Sequence, residues 1–290
     1  MKVMVIGAQG QLGSELVKTL ESAALVALTH AEIEVTDPRS VRQAFERHQP
    51  EVVINTAAFH RVDDCEAQME RAFQVNAFAL RELALACREF GAALVHFSTD
   101  YVFGGEKNEP YVETDRPGPL SVYGASKLAG EYLLAATLPQ HYLVRTCGLY
   151  GLGGSRSKGG NFVETMLRRA AEGKPLRVVS DQVMTPTYTV DLARKLSQLI
   201  RTEAFGLYHI SGNGSCSWFE FARAIFDLAG VEADLSPISS EALGAPAPRP
   251  RYSVMRNQRL ESLGLDDIPP WRESLQRYLV ERETALAIAD

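Results

Sequence analysis

The amino-acid sequence predicts an α/β fold: a doubly wound parallel β-sheet with helices on both faces, joined to a smaller C-terminal lobe. Short apolar runs alternate with amphipathic segments through the first 150 residues, a pattern typical of buried parallel strands linked by crossover helices. A glycine-rich turn follows the first apolar run. Beyond residue 151 the chain changes to shorter strands, isolated helices and loops rich in glycine and proline, which indicates a second, smaller unit.

The apolar runs predicted to form strands are Lys2–Ile6, Leu25–Leu28, Glu51–Asn55, Ala92–Phe97, Gln140–Arg145, Arg177–Val179 and Gly206–Ile210. The segments predicted to form helices are Leu12–Ser22, Pro38–His48, Glu66–Phe90, Ser126–Thr137, Asn161–Glu172, Val190–Thr202, Trp218–Ala229 and Arg272–Glu283. Pro38 suits a first helical turn, and Asp37 before it can cap that helix. Gly151–Gly160 is predicted to be a flexible, basic loop.

Composition limits the possible partners. The chain has 290 residues, 46% hydrophobic and 23% charged, with a net charge of −6. This balance is ordinary for a globular protein and argues against nucleic acid or an anionic membrane as the main partner. No apolar run reaches transmembrane length and the N-terminus runs directly into a strand, so a cytoplasmic location is expected. The cysteines, Cys65, Cys87, Cys147 and Cys216, are too scattered for a disulfide framework or a zinc site.

The turn Gly7-Ala-Gln-Gly10-Gln-Leu-Gly13 lies between the first strand and the first helix. Glycines in this context allow a tight turn, a close approach of the backbone to a pyrophosphate, and close packing of helix on strand. The helix start offers unpaired N–H groups to an anion. Gly7, Gly10, Gln11, Leu12 and Gly13 are therefore predicted to bind a dinucleotide. Residues 1–150 are predicted to form a Rossmann-type dinucleotide-binding domain, and residues 151–290 a mainly substrate-binding lobe interleaved with it.

The choice between NAD(H) and NADP(H) stays open. An acidic residue at the end of the second strand would select NAD, but the sequence there is Leu28-Thr-His30, with no carboxylate until Glu32. No arginine stands there for a 2′-phosphate. Asp37 is a candidate for the adenine pocket and equally for the helix cap.

Tyr123 and Lys127 stand four residues apart in a predicted helix, so both side chains lie on one face. An ammonium group beside a phenol favours the phenolate, which makes the phenol a better proton donor near neutral pH. Alone, such a pair is common by chance on exposed helices.

With these motifs in place, the chain resembles the dTDP-4-dehydrorhamnose reductase family, a branch of the extended short-chain dehydrogenases/reductases. The resemblance covers nearly the whole chain. It rests on the stretches Gly10–Gly13, Asn55–Ala58, Val62–Asp63, Ser98–Phe103, Tyr123–Lys127, Asn161–Leu167, Asp181–Thr187 and Arg249–Ser253.

The resemblance implies reduction of dTDP-4-dehydro-L-rhamnose to dTDP-L-rhamnose, with roles for named residues. Tyr123 would protonate the 4-keto oxygen while a reduced nicotinamide supplies hydride, Lys127 would lower the pKa of Tyr123 and hold the nicotinamide ribose, and Thr99 would orient the carbonyl. The resemblance also places residues at the cofactor and at the nucleotide sugar. They are Ala57 and Ala58 at the cofactor, and Asn161, Asp181, Gln182 and Arg249 at the sugar.

Three departures from the family pattern bear on the substrate. Gly148 stands where the family has a tryptophan, the loop at Gly151–Gly160 is longer and more basic, and His60-Arg61 replaces smaller residues. An enlarged pocket with an altered substrate, and an unchanged substrate, both remain open. Magnesium at a dimer contact, as in some relatives, is not favoured, because Glu15 has no matching carboxylate and Val190 lies in the expected partner region. A homodimer is possible.

Two other functions remain open. The fold also suits a nucleotide-sugar epimerase or dehydratase that retains NAD. The same branch includes a non-catalytic, NADP-binding regulatory partner of methionine adenosyltransferase. Asp100 follows Thr99 without the glutamate that a dehydratase would add, and the complete Thr99, Tyr123 and Lys127 set favours catalysis.

Overall fold

A six-stranded parallel sheet lies at the centre of the molecule. The computed structural model describes residues 1–20, 24–153 and 160–289. The strands of the central sheet and of the small two-stranded sheets are, in chain order, β1 (Lys2–Ile6), β2 (Ala24–Leu28), β3 (Val52–Asn55), β4 (Ala93–Thr99), β5 (His141–Thr146), β6 (Leu149–Tyr150), β7 (Leu176–Val179), β8 (Val183–Met184), β9 (Thr187–Tyr188), β10 (Gly206–His209), β11 (Cys216–Ser217) and β12 (Leu235–Ile238).

Helices cover both faces of the sheet and build the lobe beside it. They are α1 (Gln11–Thr19), α2 (Pro38–His48), α3 (Val62–Ala67), α4 (Met69–Phe73), α5 (Ala79–Phe90), α6 (Val122–Thr137), α7 (Phe162–Ala171), α8 (Thr189–Leu199), α9 (Trp218–Ala229), α10 (Ser240–Leu243), α11 (Gln258–Ser262) and α12 (Trp271–Ala289). A π-helical turn, Gln74–Phe78, joins α4 to α5, and a 3₁₀ turn, Asp100–Val102, follows β4.

The strand order is β10-β5-β4-β3-β1-β2, and every neighbouring pair is parallel. The chain therefore proceeds outward from β1 in both directions, and the order reverses between β1 and β3. In open parallel sheets a ligand binds at the carboxyl ends of the strands beside such a reversal. This Rossmann-type, doubly wound sheet confirms the predicted fold class.

Alternating side chains of β1 pack into two separate hydrophobic cores. Val3 and Val5 join one core with α1 and α8, whereas Met4 and Ile6 join the other with α2 and α5. This alternation follows from the two-residue period of a strand. Because the residues of β1 are apolar on both faces, this strand contributes only packing to the interior of the sheet.

The second half of the chain contributes to both parts of the molecule. α8 and β10 complete the sheet layer, while α7, α9 and α12 enclose a third core around Tyr150, Phe221 and Tyr278. The loop after β4 is tied to this lobe where the N–H of Tyr111 donates to the carbonyl of Val254 at 2.8 Å. The lobe therefore stands over the carboxyl edge of the sheet. The domain boundary at residue 150 stays a prediction.

All the predicted strands are present, with ends shifted by two residues at most. Predicted helix Glu66–Phe90 is wrong in detail, because α3 is separate and the π turn interrupts the segment from α4 to α5. The two-residue strands of the lobe and the short helices α10 and α11 were not predicted, since such short elements have no measurable periodicity. Ser22 and residues 154–159 of the predicted basic loop lie outside the described residues.

Candidate active site

A cleft of about 1300 Å³ opens between the carboxyl edge of the sheet and the lobe. Its sheet side is formed by the glycine turn, the segment after β3, the end of β4 and the start of α6. Its lobe side includes Asn161, Phe162, Gln182 and Trp218. The cleft is large enough for a dinucleotide and a second ligand to lie end to end.

The glycine turn brings its backbone close to the cleft because Gly7 and Gly13 have no Cβ. Gly7 has φ +81°, and a Cβ there would lie 2.4 Å from the Thr56 hydroxyl oxygen. A Cβ on Gly13 would lie 2.1 Å from the Gly7 carbonyl oxygen. Gly7, Gly10, Gln11 and Leu12 line the cleft, while Gly13 lies beneath the turn. These residues fit the diphosphate of a dinucleotide at the start of α1.

The region after β2 is lined by Thr29, His30, Glu34, Val35 and Thr36. The Glu34 carboxylate accepts hydrogen bonds from the N–H and hydroxyl of Thr36, at 2.8 and 2.6 Å, and these bonds lower its pKa. Glu34 is thus a carboxylate that lines this end of the cleft, and the sequence patterns did not indicate it.

Asp37 lies outside the lining of the cleft. Its carboxylate accepts a hydrogen bond from the N–H of Arg39 at 2.9 Å and caps α2. Of the two roles open to Asp37, the structure shows the helix cap.

Thr99 and Tyr123 meet at the centre of the cleft. Thr99 ends β4, and its hydroxyl donates to the Asp100 carboxylate at 3.1 Å. Burial raises the pKa of the Tyr123 phenol above its usual value, and a hydrogen bond with the Thr99 hydroxyl acts in the opposite direction. Tyr123 therefore keeps its proton at neutral pH, as a proton donor must.

Lys127 lies one helical turn from Tyr123 and is 2% exposed. Its Nζ is 2.8 Å from Nε2 of His96, a buried residue of β4. Burial lowers the pKa of Lys127 to about 8, although the nearby Glu131 carboxylate raises it. Burial is the largest effect on the pKa of Tyr123, and the lowering of that pKa by Lys127 stays a prediction.

A buried carboxylate supports Thr99 from behind. Asp100 is 3% exposed and accepts hydrogen bonds from the Ser253 hydroxyl at 2.6 Å and the Cys147 thiol at 3.0 Å. Burial raises the pKa of Asp100, and these hydrogen bonds oppose that effect. Ser253 comes from the lobe, so this cluster joins the two sides of the cleft. Sequence reasoning missed Ser253 and the role of Cys147, which no local pattern signals.

The four residues predicted to face the sugar separate into two groups. Asn161 and Gln182 line the cleft. Asn161 also caps α7, and the Gln182 amide donates to the Ser240 hydroxyl at 2.8 Å. Asp181 and Arg249 are not in the lining. Asp181 accepts from the N–H and hydroxyl of Ser240 at 2.9 and 2.6 Å, and Arg249 pairs with Asp63 at 2.9 Å.

Gly148 lines the cleft with φ +53°. A Cβ there would lie 3.2 Å from the Met184 sulfur and 3.3 Å from the Pro186 Cα. The left-handed backbone therefore disfavours any larger residue at this position. An aromatic pair stands on the lobe side of the cleft instead, where the rings of Phe162 and Trp218 are 4.7 Å apart.

Glu15 lies on α1, buried, with its carboxylate 3.6 Å from the Lys18 ammonium. Within residues 1–20, 24–153 and 160–289, no group of three or more His, Cys, Asp or Glu side chains is placed to hold a metal ion. Over the same residues, no helix combines the length and apolarity needed to cross a membrane. The four cysteines are buried, and none of them forms a disulfide bond.

Comparison with known proteins places the whole chain in one family. The family described as RmlD substrate binding domain matches residues 1–284. Over 286 residues, the chain is 44% identical to the spore coat polysaccharide biosynthesis protein SpsK of Bacillus subtilis, covering 98% of this chain and 99% of the relative. It is 42% identical over 281 residues to the dTDP-4-dehydrorhamnose reductase of Streptomyces griseus, covering 94% and 91%.

A solved structure of a relative supports the same family assignment. The dTDP-4-dehydrorhamnose reductase of Bacillus anthracis in complex with NADP superimposes with a TM-score of 0.93 at 39% identity, covering 97% of this chain and 99% of that one. Sequence and structure thus match over the full length, well beyond the nucleotide-binding half. The chain belongs to the dTDP-4-dehydrorhamnose reductase family and is an oxidoreductase with a Rossmann-type fold.

Proposed function

We propose that the protein reduces the 4-keto group of a dTDP-linked 6-deoxysugar, converting dTDP-4-dehydro-L-rhamnose to dTDP-L-rhamnose with NADPH. The observation that carries this proposal is that the hydroxyls of Thr99 and Tyr123 line the same cleft, with Lys127 one turn further along α6. This pair lies where the glycine-turn side of the cleft meets the lobe side. A carbonyl placed there would face two hydroxyl groups at once.

The nicotinamide cofactor would lie along the sheet edge. The N–H groups of Gln11 and Leu12 at the start of α1 would hold its diphosphate, and Ala57 and Ala58 would line its path. When bound, a reduced nicotinamide supplies hydride to the sugar C4. NADP is the cofactor in the solved Bacillus anthracis relative, and the cleft presents His30 and Thr36 near the end of β2. We therefore propose NADPH as the preferred donor.

The protein's contribution to the reaction is geometry and a proton. As C4 gains hydride, negative charge develops on the 4-keto oxygen, and the Tyr123 O–H bond breaks to protonate it. The Thr99 hydroxyl donates its one proton to Asp100 in this structure and would turn it to the carbonyl oxygen when the sugar binds, as a second donor. A charged Lys127 beside the phenol favours the phenolate that remains.

The sugar would occupy the lobe side of the cleft. Asn161 and Gln182 present polar side chains there, and Trp218 with Phe162 offers an aromatic wall against which a sugar face can pack. Gly148 lines the same side with no side chain, and its backbone lies close against Met184 and Pro186. We propose that these residues admit the 6-deoxysugar, with its ring over the backbone of Gly148.

The test is a panel of dTDP-, GDP- and UDP-linked 4-ketosugars, each assayed with NADPH and with NADH. We expect oxidation of NADPH with dTDP-4-dehydro-L-rhamnose, and a rhamnosyl product identified by mass spectrometry and NMR. Failure of every ketosugar in the panel to oxidise either cofactor would refute the proposal. Cofactor that stays bound through purification, with sugar interconverted and no net oxidation, would instead establish an epimerase or dehydratase.

A regulatory role is tested separately. A non-catalytic, cofactor-binding partner of methionine adenosyltransferase would co-purify with that enzyme and would show no turnover on any sugar of the panel. The buried, hydrogen-bonded pair of Thr99 and Asp100 beside Tyr123 favours catalysis, because such polar groups are costly to bury without a use.

A further inference from the structure

Behind the catalytic lysine lies a chain of three buried side chains. Asn55 ends β3, His96 stands directly opposite it in β4, and Lys127 comes from α6. Asn55 Nδ2 is 3.2 Å from His96 Nδ1, and His96 Nε2 is 2.8 Å from Lys127 Nζ. The three side chains are 2–3% exposed, so water cannot substitute freely for any of these contacts.

The direction of the first hydrogen bond follows from Asn55. Its Oδ1 accepts from the backbone N–H of Ala57 at 3.0 Å, which fixes the amide so that Nδ2 faces the imidazole. An amide nitrogen only donates. His96 Nδ1 must therefore carry a lone pair to satisfy Asn55, which leaves the proton of a neutral imidazole on Nε2.

The second hydrogen bond depends on the charge of Lys127. Burial, and then the charge of Lys127, hold the pKa of His96 well below its usual value, so the ring is neutral and carries one proton. If that proton is on Nε2, Lys127 Nζ must accept it and must be an uncharged amine. If Lys127 is an ammonium, Nε2 must accept, the ring proton moves to Nδ1, and Nδ1–H faces the Asn55 donor.

We propose that His96 is a positioning residue that couples the charge of Lys127 to the Asn55–Ala57 turn by switching its tautomer. The amide of Asn55 favours the Nε2–H tautomer and with it the uncharged lysine. The ammonium form requires the Nδ1–H tautomer and a strained or rotated Asn55. Because Ala57 lines the cleft where the cofactor would lie, a change in the Asn55–Ala57 turn is transmitted to the lysine.

Other titratable and charged groups lie on the elements packed around Lys127. Glu131 lies on its own helix, where Arg145 and Ser98 bind it. The Glu66 carboxylate caps the start of α6 by accepting from the N–H of Val122 at 2.8 Å. Those on the cleft side are Cys65, Glu70, Arg71, Asp100, Tyr101, Tyr123 and Cys147. The Nζ of Lys127 lies within hydrogen-bond distance of His96.

The effect of the Lys127 charge on catalysis rests on the proposed function, but the tautomer switch of His96 does not. The experiment is therefore ¹⁵N NMR of the full chain with ¹⁵N-labelled histidine, recorded from pH 6 to pH 10, with His96 assigned by its loss in the His96→Gln variant. We expect the Nδ1–H tautomer at low pH, the Nε2–H tautomer at high pH, and a midpoint at the titration of Lys127. A tautomer that stays unchanged over this range, or an imidazolium at pH 7, would overturn the proposal.

Two variants sharpen the result. Lys127→Met should abolish the pH step and leave the Nε2–H tautomer throughout, and a step that persists would also refute the coupling.

Asn55→Asp keeps an acceptor for the Ala57 N–H and replaces the donor facing His96 with a second acceptor. It should hold the Nδ1–H tautomer across the range, and a spectrum like that of the native chain would contradict the assigned role of Asn55. Because no sugar is needed, failure of the proposed activity leaves this test intact.

Discussion

Arg145 of β5 and Glu131 of α6 form a bidentate ion pair beneath the active site, with Nε–Oε1 and Nη2–Oε2 distances of 3.0 and 2.6 Å. Both side chains are almost fully buried, at 3% and 4% exposure. Glu131 lies one helical turn beyond Lys127, and Tyr123 lies one turn before it. The ion pair therefore anchors to the sheet the helix that carries Tyr123 and Lys127.

Replacing Glu131 should destabilise the fold. Glu131→Gln keeps the shape of the side chain but leaves the Arg145 charge buried without a counter-charge, which costs about 3–5 kcal/mol for a buried pair. Urea unfolding followed by circular dichroism measures the loss. The matched control is Glu46→Gln, because Glu46 pairs with Arg42 at 2.9 Å on the surface, where such a pair contributes less than about 1 kcal/mol. Equal losses in the two variants would contradict this account.

Arg249 is expected to act through Asp63. Its Nη2 lies 3.0 and 2.9 Å from the two Asp63 oxygens, and the same carboxylate accepts from the Ala247 N–H at 3.1 Å. This ties the proline-rich loop to α3. Asp63→Asn and Arg249→Gln should therefore raise KM for the nucleotide sugar by similar factors, and the double variant should add little. If Arg249→Gln alone raises KM, the guanidinium binds the substrate directly and the structural assignment is wrong.

Alanine at Gly148 should cost more than at an open left-handed position. Gly91 has φ +71° with nothing within 4 Å of its added Cβ, so Gly91→Ala measures the backbone strain alone, about 1–2 kcal/mol. Gly148→Ala has similar strain and also crowds Met184 and Pro186. Its free energy of unfolding, measured in urea, should fall further than that of Gly91→Ala. An equal or smaller loss would show that the surrounding chain yields easily and that larger residues are tolerated here.

The reaction should slow at alkaline pH. Burial lowers the pKa of Lys127 to about 8, so the ammonium is lost as pH rises through that value. The pKa of Tyr123 is raised, so loss of the phenol proton does not cause the decline. We expect kcat/KM to fall about tenfold per pH unit above the pKa of Lys127. Asn55→Asp should move the fall to higher pH, because it favours the ammonium. A rate that is constant to pH 9.5 would contradict a requirement for charged Lys127.

Sequence patterns predicted the parts of the molecule that depend on local order. The apolar runs marked every strand of the central sheet, and the spacing of Gly7, Gly10 and Gly13 marked the turn at the start of α1. Tyr123 and Lys127 share a helix face because they are four residues apart. These features need only a few neighbouring residues to specify them.

The features that were missed depend on register and on contacts between distant segments. Asn55 and His96 are neighbours because β3 and β4 pair in one particular register, and no local pattern reveals it. Ser253 reaches Asp100 from the far side of the cleft. Lys127 meets His96 because packing of α6 on β4, which the helical spacing cannot report, decides where Nζ lies.

The central claim is that Tyr123 delivers the proton, and steady-state kinetics of Tyr123→Phe test it most directly. The change removes one oxygen from a side chain that already packs as an aromatic ring. With NADPH and dTDP-4-dehydro-L-rhamnose, we expect kcat to fall by about 10²–10⁴-fold, while NADPH still binds with nearly native affinity by fluorescence titration. A Tyr123→Phe variant with native kcat would contradict the account.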